Sequence, residues 1–589
     1  MPPKRRLQHR TMLRSPGTWP REAEAKPNTM HATSSFWMAG QARTPQSATT
    51  DSSSAPQAEA DWRAAWPQGL QALMQTTAGM QGGFAVALQC AQTGRAFLAV
   101  DRFAVQTLCY RLDAGRLQVA ASADELASTG AALSSQALFN YLYFHCIPSP
   151  STVFEGVMRV PPGHCVWFDQ GQLTVQPYWT PSFQPHRNAS FDSLKAEFLQ
   201  VLQQSVQRSM GPGTPACFLS GGTDSSTVAG MLGRVTGQRP HTYSIGFEAE
   251  GYDEMAYARL AAKHFDTVHH EYYVTPDDLV RGIAKVAADY DQPFGNSSAL
   301  PAYYCALKAR EDGVQHLLAG DGGDELYGGN SRYAKQRVFG WYGKVPGVLR
   351  SGLLQPLLEG TPLGGLPGLR KARSYVEQAK VPMPGRLQMY NLLLRLGTQQ
   401  VLTPGFLAQV DTAGPLELQQ QVWDLVPPQA SELSRTLAYE WRFTLAESDL
   451  PKVRGTTALA GVSVAFPMVD DALLALSLRL PDSYKLKGLK LRWFFKEALR
   501  GFLPDEILVK KKQGFGLPFG VWATQHAGLR KLATDTLGSL STRGMVRPEF
   551  IRELLGTRLQ QHPGYYGEMV WVLMMLEQWL QHHQPDARF

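Results

Sequence analysis

The sequence predicts an α/β protein built around a parallel sheet, and two segments carry the prediction. In each, an apolar run suited to a buried strand breaks into a glycine-rich loop and then into helix-forming residues. The first is Ala216-Cys217-Phe218-Leu219, then Ser220-Gly221-Gly222-Thr223-Asp224-Ser225-Ser226, then Thr227-Val228-Ala229-Gly230-Met231-Leu232. The second is Gln315-His316-Leu317-Leu318-Ala319, then Gly320-Asp321-Gly322-Gly323-Asp324-Glu325-Leu326-Tyr327-Gly328-Gly329. Open α/β sheets bind ligands at strand ends, near the point where the strand order reverses. Upstream, residues 82–88 and 95–100 alternate as a β-hairpin, so a smaller α+β unit precedes the sheet.

The first loop has the chemistry of an anion site. Gly221 and Gly222 let the backbone approach an anion closely. The hydroxyls of Ser220, Ser225 and Ser226 donate, and the following helix offers its N-terminal dipole. No Gly-Lys-Ser/Thr follows, so this is not a Walker loop. The bland alternative is a Gly/Ser turn, and Asp224 with the serines after it argues against that. The second loop sets Asp321 and Asp324 among Gly320, Gly322 and Gly323. Carboxylates on such a loop suit Mg²⁺, which takes a few carboxylates plus phosphate oxygens. One acidic turn is common; two such loops, each after a strand, are not.

At 589 residues the chain has room for two or more domains, and 44% hydrophobic with 18% charged residues is ordinary for a globular protein. The net charge of +7 is modest, and basic residues near the start account for much of it, so no nucleic-acid partner is expected. Cys90, Cys109, Cys146, Cys165, Cys217 and Cys305 show neither metal-like nor paired spacing, as expected of buried thiols in a reducing cytoplasm. No stretch approaches the roughly 20 apolar residues of a membrane span, and Met569-Val570-Trp571-Val572-Leu573-Met574-Met575-Leu576 is expected to be a core helix. No membrane partner is expected.

Residues 1–60 are rich in Ser, Thr, Pro, Ala and Gln, and disorder is expected there. Phe36-Trp37-Met38 is the one apolar cluster, able to pair as a strand with the domain that follows. A true start at Met30 or Met38 is an alternative. The domain expected over 61–190 contains the hairpin, then Asp101-Arg102-Phe103-Ala104-Val105-Gln106-Thr107-Leu108-Cys109-Tyr110, then a strand from Arg116. The domain expected over 191–580 holds both loops. Between them, His241-Thr242-Tyr243-Ser244-Ile245-Gly246-Phe247 reads as a strand. The stretch from about 335 to 440 has helical periodicity, broken between Gly343 and Pro367.

With these motifs assembled, the chain resembles the class B asparagine synthetases and their relatives, the β-lactam synthetases and lasso-peptide cyclases. SGGTDSS resembles the pyrophosphate loop of ATP pyrophosphatases, and GDGGDELYGG its partner. Gly251-Tyr252-Asp253-Glu254, Thr267-Val268-His269-His270-Glu271, Asp291-Gln292-Pro293-Phe294 with Ser297-Ser298, and Lys510-Lys511-Lys512-Gln513-Gly514-Phe515-Gly516-Leu517-Pro518 follow in family order. The resemblance covers roughly residues 80 to 580. It implies a shortened Ntn-type α+β sandwich. A doubly wound parallel-sheet ATP pyrophosphatase domain, of the adenine nucleotide α-hydrolase type with helical additions, would follow.

The implied chemistry is amide-bond formation. ATP converts a carboxylate into an acyl-adenylate, pyrophosphate leaves, and an amine or ammonia then displaces AMP. Carried over by position, Ser220, Gly221, Gly222, Ser225 and Ser226 hold phosphates, and Gly320 and Gly322 also belong to the ATP-binding residues. Asp224 and Asp324 bind Mg²⁺. Ile245 and Gly246 lie against adenine. Asp321 steers or deprotonates the amine, and Lys512, with Lys511, neutralises adenylate or pyrophosphate charge. The substrate is expected to be a small-molecule or peptide carboxylate, and a homodimer stays open.

Two departures matter. The family's glutaminase uses an N-terminal cysteine, whereas this chain begins Met1-Pro2 and first reaches cysteine at Cys90. Glutamine is therefore not expected as the nitrogen donor. The acceptor segment, K-V-D-R…E-x-R-x-P-F-L-D in the family, keeps Lys452, Pro467 and Asp470. It carries Arg454 for the Asp, Gly455 for the Arg, Ser463 for the Glu and Ala465 for the second Arg, which leaves room for a larger acceptor. A buried zwitterion needs charged partners, so a product other than asparagine is expected. Peptide cyclisation and amidation of a sugar acid are the alternatives within the class. A decayed synthetase kept as a binding or scaffold protein is the alternative outside it.

Overall fold

The structure, a computed structural model, describes residues 34–44, 54–127, 130–186, 188–343, 375–510 and 516–589. The N-terminal part is a two-sheet sandwich. Its strands are β1 (Ser34–Gly40), β2 (Phe84–Cys90), β3 (Ala96–Val100), β4 (Cys109–Asp113), β5 (Arg116–Ala120), β6 (Val157–Arg159), β7 (His164–Asp169) and β8 (Gln172–Pro177). They form sheets in the orders β1-β2-β3-β7-β8 and β5-β4-β6.

Strand alternation decides what each face meets. Phe84, Val86, Leu88, Phe97 and Ala99 pack against helices α1 (Ser54–Ala65) and α2 (Leu70–Gly79) through Trp62 and Leu73. Ala85, Ala87, Leu98 and Val100 pack on the other side, with Tyr110, Leu117 and Val119 of the second sheet. Trp62 is fully buried and donates its indole N–H to Thr77 Oγ1 at 3.0 Å, which joins the two helices. Helix α3 (Ser135–Phe144) leads onward into the larger core.

Disorder over all of 1–60 is corrected in part, because β1 and the start of α1 lie inside that range. The cause is Phe36-Trp37-Met38. Phe36 and Met38 join the helix-side core and Trp37 the opposite core, while β1 pairs along its length with β2. That burial offsets the ordering entropy.

The C-terminal part is built on β9 (Ala216–Phe218), β10 (His241–Phe247), β11 (Val268–Val274), β12 (His316–Leu318) and β13 (Ser463–Ala465). All neighbours are parallel, in the order β11-β10-β9-β12-β13. The chain leaves β9 to one side and returns to β12 on the other, so the order reverses between these two strands. Helices α4 (Phe191–Ser209), α5 (Thr223–Thr236) and α6 (Met255–His264) bury Phe198, Met231 and Ala258 in one core. Helices α7 (Pro276–Asp289) and α8 (Ala299–Glu311) bury Ile283 and Ala306 in another, together with Trp571 of the helix Pro563–His583. Helix layers in separate cores make the sheet doubly wound. The run Met569–Leu576 is buried within Pro563–His583, whose Glu577 accepts from Arg543 Nε at 2.5 Å. Among the described residues, no helix is long and apolar enough to cross a membrane.

The two parts are joined by charge. Arg102 donates to Asp471 Oδ1 at 2.6 Å and to the carbonyls of Ala78 and Met80 at 2.7 and 2.9 Å. Gly82 N–H donates to the other Asp471 oxygen at 2.6 Å. Asp101 accepts from the backbone N–H groups of Phe84, Phe103, Val105 and Gln106, which fixes the turn that aims Arg102.

Candidate active site

The loops after β9 and β12 meet where the strand order reverses. After β9 the chain turns through Ser220-Gly221-Gly222 into α5, whose N-cap is Gly222. Gly221 has φ +69°, and a Cβ there would run into the backbone of Tyr257 and Ala258 on α6. Ser225 Oγ accepts from Ser220 N–H and lies 3.0 Å from Ser220 Oγ, so the loop is closed by its own hydroxyls. After β12, Gly320 lets the second loop approach α5, since a Cβ there would press on Ser225 N. Helix α9 (Gly323–Tyr327) then begins.

These elements surround one cavity of about 890 Å³. Ser220, Gly222, Asp224, Ser225, Ile245, Gly320, Asp321, Gly322 and Asp324 line it, as the sequence suggests. Three expected ligands do not. Gly221 packs on α6, and Gly246 packs under the Tyr273 ring. Ser226 is fully buried, because the 100° step of a helix that turns Ser225 to the cavity turns Ser226 to the core. Lys511 and Lys512 lie outside the described residues, as does most of the stretch from Gly343 to Pro367.

Sequence reasoning missed the residue that organises the acidic side. Arg492 caps the helix Trp493–Ala498 in a left-handed conformation, φ +53°. Its Nη1 donates to Asp224 Oδ2 at 2.7 Å, Asp324 Oδ1 at 2.6 Å and Thr223 Oγ1 at 2.9 Å. Its Nη2 donates to Asp224 Oδ1. The guanidinium lies 4.0 Å from the centre of the Phe495 ring. Burial opposes its charge, yet Asp224 and Asp324 outweigh that and hold its pKa above the ordinary arginine value. The carboxylates reach their positions because Gly323 and Gly329 lack a Cβ: one at Gly323 would overlap the Asp224 carboxylate, and one at Gly329 that of Asp324. Arg492 is distant in sequence from both loops, and nothing local to it announces a partner.

Two carboxylates that converge on one guanidinium nitrogen also lie within reach of one divalent cation. No group of three or more His, Cys, Asp or Glu is placed to hold a metal among the described residues. The donor set therefore fits a cation that completes its shell with phosphate oxygens.

A second charged group lines the same cavity. Lys452 Nζ lies 3.1 Å from Asp449 Oδ1 and 3.6 Å from Asp321 Oδ1. Asp449 ends the π-helical stretch Trp441–Asp449, an irregularity often found at functional sites. Burial raises the Asp321 pKa, partly offset by Lys452. Burial works against the Lys452 charge, but Asp449 and Asp321 hold its pKa above the usual lysine value. At the far rim, Lys510 Nζ pairs with Glu254 Oε1 at 2.7 Å.

The altered acceptor positions are placed differently from expectation. Arg454 turns towards the N-terminal part and donates to Val105 O at 3.0 Å. Gly455 leaves no free room, since Tyr290 fills the space a Cβ would take. Ser463 sits at the start of β13, bonded to His316 Nδ1 at 2.8 Å and Gln315 O at 3.0 Å. Neither Ser463 nor Ala465 is among the described residues lining the cavity. Asp470 accepts from Arg208 at 2.8 and 3.2 Å and caps the helix Asp471–Arg479.

A family model described as asparagine synthase matches residues 197–581, and one described as a glutamine amidotransferase domain matches residues 67–179. A putative glutamine-hydrolyzing asparagine synthetase of Mycobacterium tuberculosis (strain ATCC 25618 / H37Rv) is 26% identical over 478 residues, spanning 78% of this chain and 70% of the relative. Glutamine-hydrolyzing asparagine synthetase 1 of Bacillus subtilis (strain 168) is 24% identical over 465 residues, spanning 78% and 71%. Among solved structures, glutamine phosphoribosylpyrophosphate amidotransferase from B. subtilis, complexed with ADP and GMP, aligns at 10% identity. That match covers 48% of this chain and 61% of the other with a TM-score of 0.16, too slight a likeness to carry any inference. The asparagine synthase match spans well over half of the chain, and the chain belongs to the asparagine synthase family.

Proposed function

We propose that this protein is an ATP-dependent amide-bond-forming ligase. It activates a carboxylate as an acyl-adenylate with release of pyrophosphate, and it does not use glutamine by itself. The observation that carries this is one cavity that holds an anion loop, two convergent carboxylates and the Asp321–Lys452–Asp449 group. Ser220, Ser225 and the Gly222 end of α5 would bind phosphate, and Ile245 would lie beside the base. Asp224 and Asp324 would hold magnesium, whose charge stabilises the leaving pyrophosphate. Asp321 would accept a proton from an incoming amine, with Lys452 beside its carboxylate.

The nitrogen source follows from the cysteines. All six are buried, and burial raises the thiol pKa of Cys109, Cys146, Cys165, Cys217 and Cys305. Such thiols are poor nucleophiles, and Cys90, whose pKa is instead lowered, ends strand β2 with its thiol on Gln92 Oε1 and has no α-amino group of its own to act as base. Ammonia or an amine on a substrate is therefore the acceptor of the acyl group. The segment 454–465 supplies no charged group to the cavity for an aspartate zwitterion, which favours another carboxylate. The test is pyrophosphate release with ATP, Mg²⁺ and panels of carboxylates and amines. Pyrophosphate release that needs the carboxylate, and that turns over repeatedly only when an amine is also present, supports the function. Absence of nucleotide binding by calorimetry, or glutamate release from glutamine alone, contradicts it.

A further inference from the structure

Arg492 donates from a single nitrogen, Nη1, to both Asp224 and Asp324, the two carboxylates that would hold a divalent cation. We propose that Arg492 is a positioning residue that makes divalent-cation binding depend on the nucleotide's phosphates. The role rests on the ligase function proposed above and adds to it a determinant of binding order.

The case is one of charge and geometry. Two carboxylates face one guanidinium, which is 5% exposed and bonded to both. Thr223 Oγ1 and the Phe495 ring hold it from two further sides. Lys496, one turn further along the helix, also lines the cavity. A divalent cation entering alone would bring two more positive charges beside this guanidinium, whose charge among the described residues is already balanced by Asp224 and Asp324, with a smaller contribution from Glu325. Buried charge left without compensation is costly. Polyphosphate reverses the sum. Its oxygens would help complete the cation's shell and would offer the guanidinium a bidentate pair of acceptors in place of the carboxylates. Cation and nucleotide should therefore bind cooperatively, with Arg492 as the coupling element.

The experiment measures Mn²⁺ binding by the electron paramagnetic resonance signal of the free ion. It uses the full chain with and without α,β-methylene-ATP, which cannot release pyrophosphate. In the wild type, the nucleotide analogue should tighten Mn²⁺ binding at least about tenfold. Arg492→Met and Arg492→Gln should bind Mn²⁺ without nucleotide at least about tenfold more tightly than the wild type, and Arg492→Lys should restore the dependence. A role limited to holding the fold would lower the melting temperature without raising metal-only affinity. Unchanged metal-only affinity in a folded neutral variant overturns the role of Arg492 and leaves the ligase function standing. A wild type that binds neither Mn²⁺ nor the analogue overturns both.

Discussion

Asp321 and Lys452 face each other across the cavity at 3.6 Å, although one follows strand β12 and the other lies on the helix Leu450–Leu459. Lys452 is shared with Asp449 at 3.1 Å, so one ammonium balances two carboxylates. Lys452→Met should remove the cation that pairs with both acids among the described residues. The expected cost is about 3 kcal/mol of stability, because removing one member of a buried pair strands the other. The pyrophosphate-release assay should also show a loss of turnover with amines. A variant with unchanged melting temperature and turnover would remove the group from the mechanism.

On the proposed function, Asp224→Asn and Asp324→Asn should each reduce pyrophosphate release by about a hundredfold or more, since each would remove charge that holds the metal at the leaving group. Circular dichroism should show the fold retained. Near wild-type pyrophosphate release in either variant would place the metal elsewhere.

Gly323→Ala tests the packing that aims Asp224. The added Cβ overlaps the Asp224 carboxylate, which must leave its position against Arg492. A displacement of about 1 Å costs on the order of a hundredfold in rate. Nucleotide binding should weaken in calorimetry, and the β-sheet signal in circular dichroism should stay. Wild-type activity in this variant would mean the carboxylate works equally well from a second position.

Lys485 gives a stability prediction with a definite pH window. Its side chain is buried, its ammonium has no hydrogen-bond partner among the described residues, and it sits 5.0 Å from the centre of the Phe183 ring. Burial lowers its pKa from 10.5 to about 8. Between these values the unfolded chain binds more protons than the folded one, so this residue makes stability rise with pH from about 8 to 10.5. Lys485→Met should add roughly 1–3 kcal/mol at pH 7 and flatten that rise. Denaturant unfolding at pH 7 and pH 10 measures both effects, and a destabilised variant at pH 7 would show that the ammonium is paid for by its surroundings.

Deleting residues 1–60 should now lower the melting temperature by more than about 4 °C, because it removes β1 and much of α1. A chain starting at Met30 keeps both and should melt like the full chain. Equal melting of the two truncated forms would mean that β1 contributes nothing to the sandwich.

The sequence by itself determined the two glycine loops, the strands before them and the family. These are local features: glycine backbone freedom, apolar runs and neighbouring hydroxyls or carboxylates act over a few residues and read directly. Through the family resemblance it also implied that Asp224 and Asp324 belong to one site. Only the tertiary structure decided which side chains turn inward. Ser225 faces the cavity and Ser226 the core, a distinction set by helix phase. Arg454 and Gly455 stand in the acceptor segment but serve the domain joint and the Tyr290 packing. Arg492 reaches carboxylates 168 and 268 residues away. Such contacts leave no trace in local pattern, because burial and charge pairing act between whichever residues folding brings together, whatever their separation along the chain.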